Sequence, residues 1–223
     1  MKPPFPADLQ QKVETSGVIA VLVIDQVEHA VPVARALLEG GISVMELTLR
    51  TPAAIDAVRA IRDKVPEMLA GVGTVIHPDQ VAAAAQVGAA FAVAPGFNRR
   101  VMDTAIAAGM PFAPGIATPT DIESALELGC RLLKFFPAEP SGGMNMLKAM
   151  AAPYNHLGIK YVPLGGLNVS NMVSYLESPL IAGLGGSWLA PRDVIKGEKW
   201  SQITENALAA SDLVRQARSK KQA

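Results

Sequence analysis

Cysteine and histidine are scarce in this chain, and the scarcity narrows its chemistry. Among 223 residues there is one cysteine, Cys130, so no internal disulfide can form. The three histidines, His29, His77 and His156, are far apart and show no metal-ligand spacing. Each is predicted as a surface or helix-capping residue, and no metal site is predicted. An excess of one charge is missing too: 20 basic residues balance 20 acidic ones, which leaves no basic footprint for nucleic acid. No apolar run reaches the ~18 residues needed to span a bilayer, so no membrane association is predicted. The N-terminal stretch MKPPFPADLQQKVE lacks both a long apolar core and a small-residue cleavage site. It does not read as a signal peptide, and the default location is cytoplasmic.

What is present is an apolar half, 50% of the residues, enough to close one sizeable core. Short β-rich runs recur: GVIAVLVI (17–24), VMELTL (44–49), EMLAGVGTV (67–75), FAVAPG (91–96), PFAPGI (111–116), LLKFFP (132–137), KYVPLGG (160–166) and IAGLGG (181–186). Amphipathic or alanine-rich stretches lie between them. One, TPAAIDAVRAIRDKV, places Thr51 at a cap position and Pro52 at the first helical position. Eight strand–helix units at a period of roughly 20–30 residues are the signature of an α/β (β/α)8 TIM barrel. An extra helix over about 6–15 should precede it, and a last helix should cover about 200–218. One domain is predicted over 1–223, with a frayed basic tail at about 219–223. An open doubly wound sheet is the runner-up, but the first strand is not followed by the glycine fingerprint of that fold.

Polar residues interrupt these strands at telling places. In VMELTLR, one face carries Met45, Leu47 and Leu49, and the other carries Val44, Glu46, Thr48 and Arg50. Burying the second set under helices would strand two charges, so it is assigned to the interior and mouth of the barrel. Along a continuous strand Glu46 and Arg50 would sit ~13 Å apart, too far to pair. In LLKFFP, Lys134 shares its face with Leu132 and Phe136. Lysine is almost never fully buried unless it is paired or used. Burial strips an ammonium of its hydration and favours the neutral amine, which can attack a carbonyl. A purely structural pairing of Lys134 with Glu46 is the other reading. Thr74 in GVGTV is a strand-end hydroxyl or, equally, a helix cap ahead of His77-Pro78. Gly165-Gly166, and Gly185-Gly186 followed by Ser187, stand after the last two strands, where many barrels hold phosphate.

The ordered set MELTLRT, GVGTV, APG, PGI, LLKFFPAE, PLGG and GGSWL, spread over about 17–195, closely resembles the 2-keto-3-deoxy-6-phosphogluconate (KDPG) and 4-hydroxy-2-oxoglutarate (KHG) aldolase family. The resemblance implies a cofactor-free, Schiff-base lyase on a barrel fold, assembled as a homotrimer. Its reaction would be the aldol cleavage of the Entner–Doudoroff pathway, giving pyruvate and glyceraldehyde 3-phosphate. Carried over by position, Lys134 matches the imine-forming lysine and Glu46 the acid/base. Arg50 and Thr74 match the residues that hold the pyruvate carboxylate, and Pro95 and Phe136 the apolar wall. Gly165, Gly166, Gly185, Gly186 and Ser187 match the phosphate cradle. Leu164 departs from the pattern: phosphogluconate-specific members typically carry threonine there, whereas galactonate-type relatives carry an apolar residue. That departure implies a changed reading of the C4 hydroxyl. A phosphate-sugar isomerase or epimerase, or a binding-only barrel, would use the same cradle without needing a lysine in mid-strand.

Overall fold

The computed structural model describes residues 4–222. Among them, strands β1 (Val18–Leu22), β2 (Val44–Thr48), β3 (Leu69–Gly73), β4 (Ala92–Val93), β5 (Phe112–Ala113), β6 (Gly115–Ile116), β7 (Leu132–Phe135), β8 (Lys160–Pro163) and β9 (Leu184–Gly186) alternate with helices. The helices are α1 (Ala7–Ser16), α2 (Ala30–Glu39), α3 (Ala54–Lys64), α4 (Pro78–Gln86), α5 (Arg99–Ala107), α6 (Pro119–Glu127), α7 (Gly143–Ala151), α8 (Met172–Leu176), α9 (Arg192–Lys196) and α10 (Trp200–Gln222). No helix among the described residues is long and apolar enough to cross a membrane.

All ladders are parallel. One runs β5-β4-β3-β2-β1-β9 and the other β6-β7-β8. They part at Pro114, which has no N–H to give to a ladder. The run predicted as one strand over 111–116 is therefore two short ones. Hydrogen bonding crosses the join all the same, because the Pro114 carbonyl accepts from the Lys134 amide at 2.9 Å. On the far side Tyr161 bridges to Ile181, with Tyr161 N–H donating to the Leu180 carbonyl (2.8 Å) and Ala182 N–H to that of Tyr161 (3.0 Å). The sheet thus curls, with one face turned inward and the other covered by helices.

Strand alternation sorts the core into two clusters. Met45, Leu47, Leu133 and Phe135 pack with the helices, while Val44, Leu132, Val162 and Leu164 pack with one another on the inner face. Many of the inner residues stand at the beginnings of strands, and Phe5, Leu9 and Val13 join them from the N-terminal segment and α1. The Phe5 ring lies 6.1 Å from that of Phe91, and the Pro4 carbonyl accepts from the Phe112 amide at 3.1 Å. These residues close the N-terminal end of the curl. Truncation of the Phe5 ring should therefore behave as a core mutation: Phe5→Ala is expected to cost ~3–5 kcal/mol in urea unfolding. A loss under ~1 kcal/mol, the scale of surface sites, would contradict this placement.

Local structure departs from the sequence reading at several points. α3 opens at Ala54, not at Pro52, and Thr51 does not cap it; the Thr51 hydroxyl donates instead to the Ile24 carbonyl, tying the loop after β2 to the loop after β1. His29 stands at the cap position of α2, though its side chain caps no amide, and it is buried rather than on the surface, edge-on to Trp200 with Nε2 3.5 Å from Glu198. Its apolar ring body fits an aromatic contact that an open surface would not supply. His77 stands before α4 at its cap position, where the reading put it. The last helix continues to Gln222, so the tail read as frayed is helical as far as that residue; Ala223 lies outside the described residues.

Candidate active site

β2 turns Glu46 inward and β7 does the same for Lys134, leaving them 1% and 6% exposed. Lys134 Nζ stands 3.1 Å from Glu46 Oε1 and 3.4 Å from Oε2. Adjacent β3 makes room for this carboxylate by having no side chain at Gly73, where a Cβ would fall 1.8 Å from Glu46 Oε1. A pair this dry loses much of its hydration, and one carboxylate partner does not use all three ammonium hydrogens. The remaining capacity of Lys134 faces a cavity of about 360 Å³ at the C-terminal ends of the strands.

The cavity gathers almost all the residues singled out from sequence. Glu46 and Lys134 are joined by Arg50, Thr74, Pro95, Phe136, Leu164, Gly165, Gly166, Gly185 and Ser187. Gly186 is the exception: it does not line the cavity, and the six-membered ring of Trp188 lies where its side chain would begin, 2.6 Å from a built Cβ. Its lack of a side chain serves that ring contact. Three further residues line it: Thr48, which the alternation had turned inward without a role, and Val21 and Leu167, which the sequence did not single out. Val21 and Leu167 are apolar residues with nothing in the sequence to set them apart from the core.

Arg50 is exposed at the mouth and makes no ion pair among the described residues. It does not continue the strand face as the alternation suggested. The strand ends at Thr48, and the Arg50 amide bonds back to the Thr48 carbonyl at 2.7 Å, turning the chain over the cavity. Thr74 holds a left-handed backbone with φ 63°, a costly conformation for a β-branched residue and a common one at functional sites. It is not the cap of α4, where Gln80 accepts from the amides of Ile76 and His77. Gly165 and Gly166 both take positive φ, 98° and 82°, which glycine alone adopts at no steric cost. Behind that turn Tyr175 donates to Glu139, and burial together with this carboxylate drives the phenol well above its ordinary range.

Two titratable groups outside the cavity lining have shifted ionisation. Asp25, beyond β1, is held down at about 2 by its hydrogen bond from Arg192, with Lys196 adding to it. Cys130 precedes β7, away from the cavity, and burial pushes its thiol up to about 12. No group of three or more His, Cys, Asp or Glu among the described residues is arranged to hold a metal ion.

Residues 9–206 match the model of the aldolase family described as KDPG and KHG aldolase. The chain belongs to the KDPG and KHG aldolase family. Within the family, it is similar to 2-dehydro-3-deoxy-phosphogluconate aldolase of Treponema pallidum, 44% identical over 87% of this chain and 91% of that one. The KHG/KDPG aldolase of Escherichia coli is 40% identical over 88% of this chain and 91% of its own length. Among solved structures, KDPG aldolase from Legionella pneumophila, with pyruvate captured as a covalent carbinolamine intermediate, superposes with a TM-score of 0.85 at 40% identity. That match covers 90% of this chain and 97% of the other. The KDPG and KHG aldolase family model spans every cavity-lining residue named above, from Val21 to Ser187.

Proposed function

We propose that this protein is a Schiff-base aldolase that cleaves KDPG to pyruvate and glyceraldehyde 3-phosphate, and KHG to pyruvate and glyoxylate. The observation that carries the reading is the contact of 3.1 Å between Lys134 and Glu46 on the floor of the cavity. A barrel enzyme keeps its chemistry at the C-terminal ends of its strands, and this pair faces that end. The proposal takes the curled sheet as an eightfold (β/α)8 barrel forming one domain, with α1 as its extra N-terminal helix. It places the protein in the cytoplasm as a homotrimer.

In this mechanism Glu46 takes a proton from the Lys134 ammonium, the freed amine attacks the C2 ketone, and return of that proton to the departing carbinolamine hydroxyl releases water and leaves a protonated imine. Glu46 accepts the proton of the C4 hydroxyl, directly or across one water, as the C3–C4 bond breaks. The bond's electrons move into the imine, leaving an enamine and releasing the aldehyde. Proton return to C3 and hydrolysis then yield pyruvate and the free lysine. The iminium supplies the positive charge that a metal would otherwise provide, and one carboxylate can serve each proton transfer in turn. Arg50 and the Thr74 hydroxyl hold the carboxylate end of the substrate. Pro95 and Phe136 wall the reacting carbons, and Gly165, Gly166, Gly185 and Ser187 receive the phosphate.

A second reading concerns which epimer is preferred, and it rests on Leu164. This side chain is buried, lies against Gly185, and forms the cavity wall just before the glycine turn. It offers no hydrogen bond to a C4 hydroxyl, so this site reads C4 weakly, or in the galactonate sense. Pyruvate release from the two C4 epimers tests both readings. Cleavage of both is expected, with kcat/KM for the gluconate epimer no more than ~10-fold above that for the galactonate one, because a wall without a polar group gives the gluconate hydroxyl no hydrogen bond. Release from neither would contradict the aldolase, and a preference of ~10³ or more for the gluconate epimer would contradict the second reading.

A further inference from the structure

We propose that Thr48 is a positioning residue whose hydroxyl aims the Arg50 guanidinium at the substrate carboxylate. The inference rests on the reading of Arg50 as the carboxylate anchor. Thr48 is the last residue of β2 and is 4% exposed. Its Oγ1 receives a hydrogen bond from Arg50 Nε at 3.0 Å and donates to the Leu22 carbonyl, also at 3.0 Å. The direction of both bonds is forced. A guanidinium has no acceptor, so Arg50 can only donate, and the hydroxyl proton must therefore go to Leu22. The result is a relay from the end of β1, through a buried hydroxyl, to a cation at the cavity mouth.

The relay matters because little else restrains the Arg50 side chain. It is exposed and has no carboxylate partner among the described residues. Its backbone is fixed, since Leu49 N–H donates to the Gly73 carbonyl (2.8 Å) and Arg50 N–H to that of Thr48 (2.7 Å). The side chain beyond is long and rich in rotamers, and the Thr48 hydroxyl catches it at Nε. That leaves the two terminal nitrogens as an unobstructed fork, the geometry that pairs with a carboxylate. Thr48 meets the cavity beside this fork but contributes no chemistry to the carbon–carbon cleavage.

Steady-state cleavage of KDPG by full-length variants tests this assignment. Thr48→Val keeps the shape and removes both bonds. It should raise KM about tenfold, the scale of one hydrogen bond to a charged group, while kcat stays within about threefold because the lysine and its partner are untouched. Thr48→Ser restores the hydroxyl and should bring KM back to within about twofold of the natural enzyme. Thr48→Val should add nothing to KM when Arg50→Gln is already present. Should the valine variant not fold, Thr48→Cys, which fits the same buried volume with a poor acceptor, carries the same prediction. An unchanged KM in the valine or cysteine variant, a fall confined to kcat, or a serine variant no better than valine would overturn the proposal. If Arg50→Gln itself leaves KM unchanged, the anchor reading fails instead, and the two failures are told apart by that control.

Discussion

Lys134→Met is expected to abolish cleavage, with kcat reduced by more than ~10⁴-fold, the scale on which removing a covalent nucleophile acts. Methionine fills a similar volume without the amine. Among the described residues lining the cavity there is no other amine, and Arg50 at the mouth is a permanent cation. The other half of the machinery, Glu46 on its own strand, would remain in place. Far-UV circular dichroism should match the natural protein, which separates lost chemistry from lost structure. Turnover retained within ~100-fold would mean that carbon–carbon cleavage does not pass through this lysine.

The second large effect is on stability, and its sign depends on how many charges are removed. In the natural protein each charge is nearly out of water and each has the other as partner. Lys134→Met leaves the Glu46 carboxylate buried without a cation, and Glu46→Gln leaves the Lys134 ammonium buried without an anion. Each single change is expected to cost ~3–5 kcal/mol in urea unfolding, the price of an uncompensated buried charge. The double variant removes both desolvation penalties and should return to within ~1 kcal/mol of the natural protein, or exceed it. Losses that add across the cycle would show that the two groups do not interact in solution. The singles should still fold, since domains of this kind have ~5–15 kcal/mol in hand.

The catalytic pair was legible because charge is conspicuous on a strand. Once Glu46 and Lys134 are placed by alternation, their faces follow, and packing of Val44 and Leu132 on the inner side agrees. Arg50 was legible as a residue and not as a direction: the strand stops at Thr48, and a turn two residues long is invisible to a period-two reading. The same limit hid the Thr48 relay, which depends on the Leu22 carbonyl of a neighbouring strand. Gly185 and Gly186 read alike in sequence, yet one faces the cavity and the other lies under the Trp188 ring. Pro114 splits a strand by withholding one N–H, although the run around it is as apolar as its neighbours. Phe5, in a proline-rich opening with no periodicity, carried no sign that it would close the inner core.

The central claim is that Lys134 forms a covalent imine with a keto acid, and borohydride reduction in the presence of pyruvate examines it most directly. The account predicts irreversible loss of activity and one reduced pyruvyl adduct per chain, located by peptide mass mapping on Lys134 and absent from Lys134→Met. Full activity after reduction with no adduct, or an adduct on another lysine that forms equally in Lys134→Met, would contradict it.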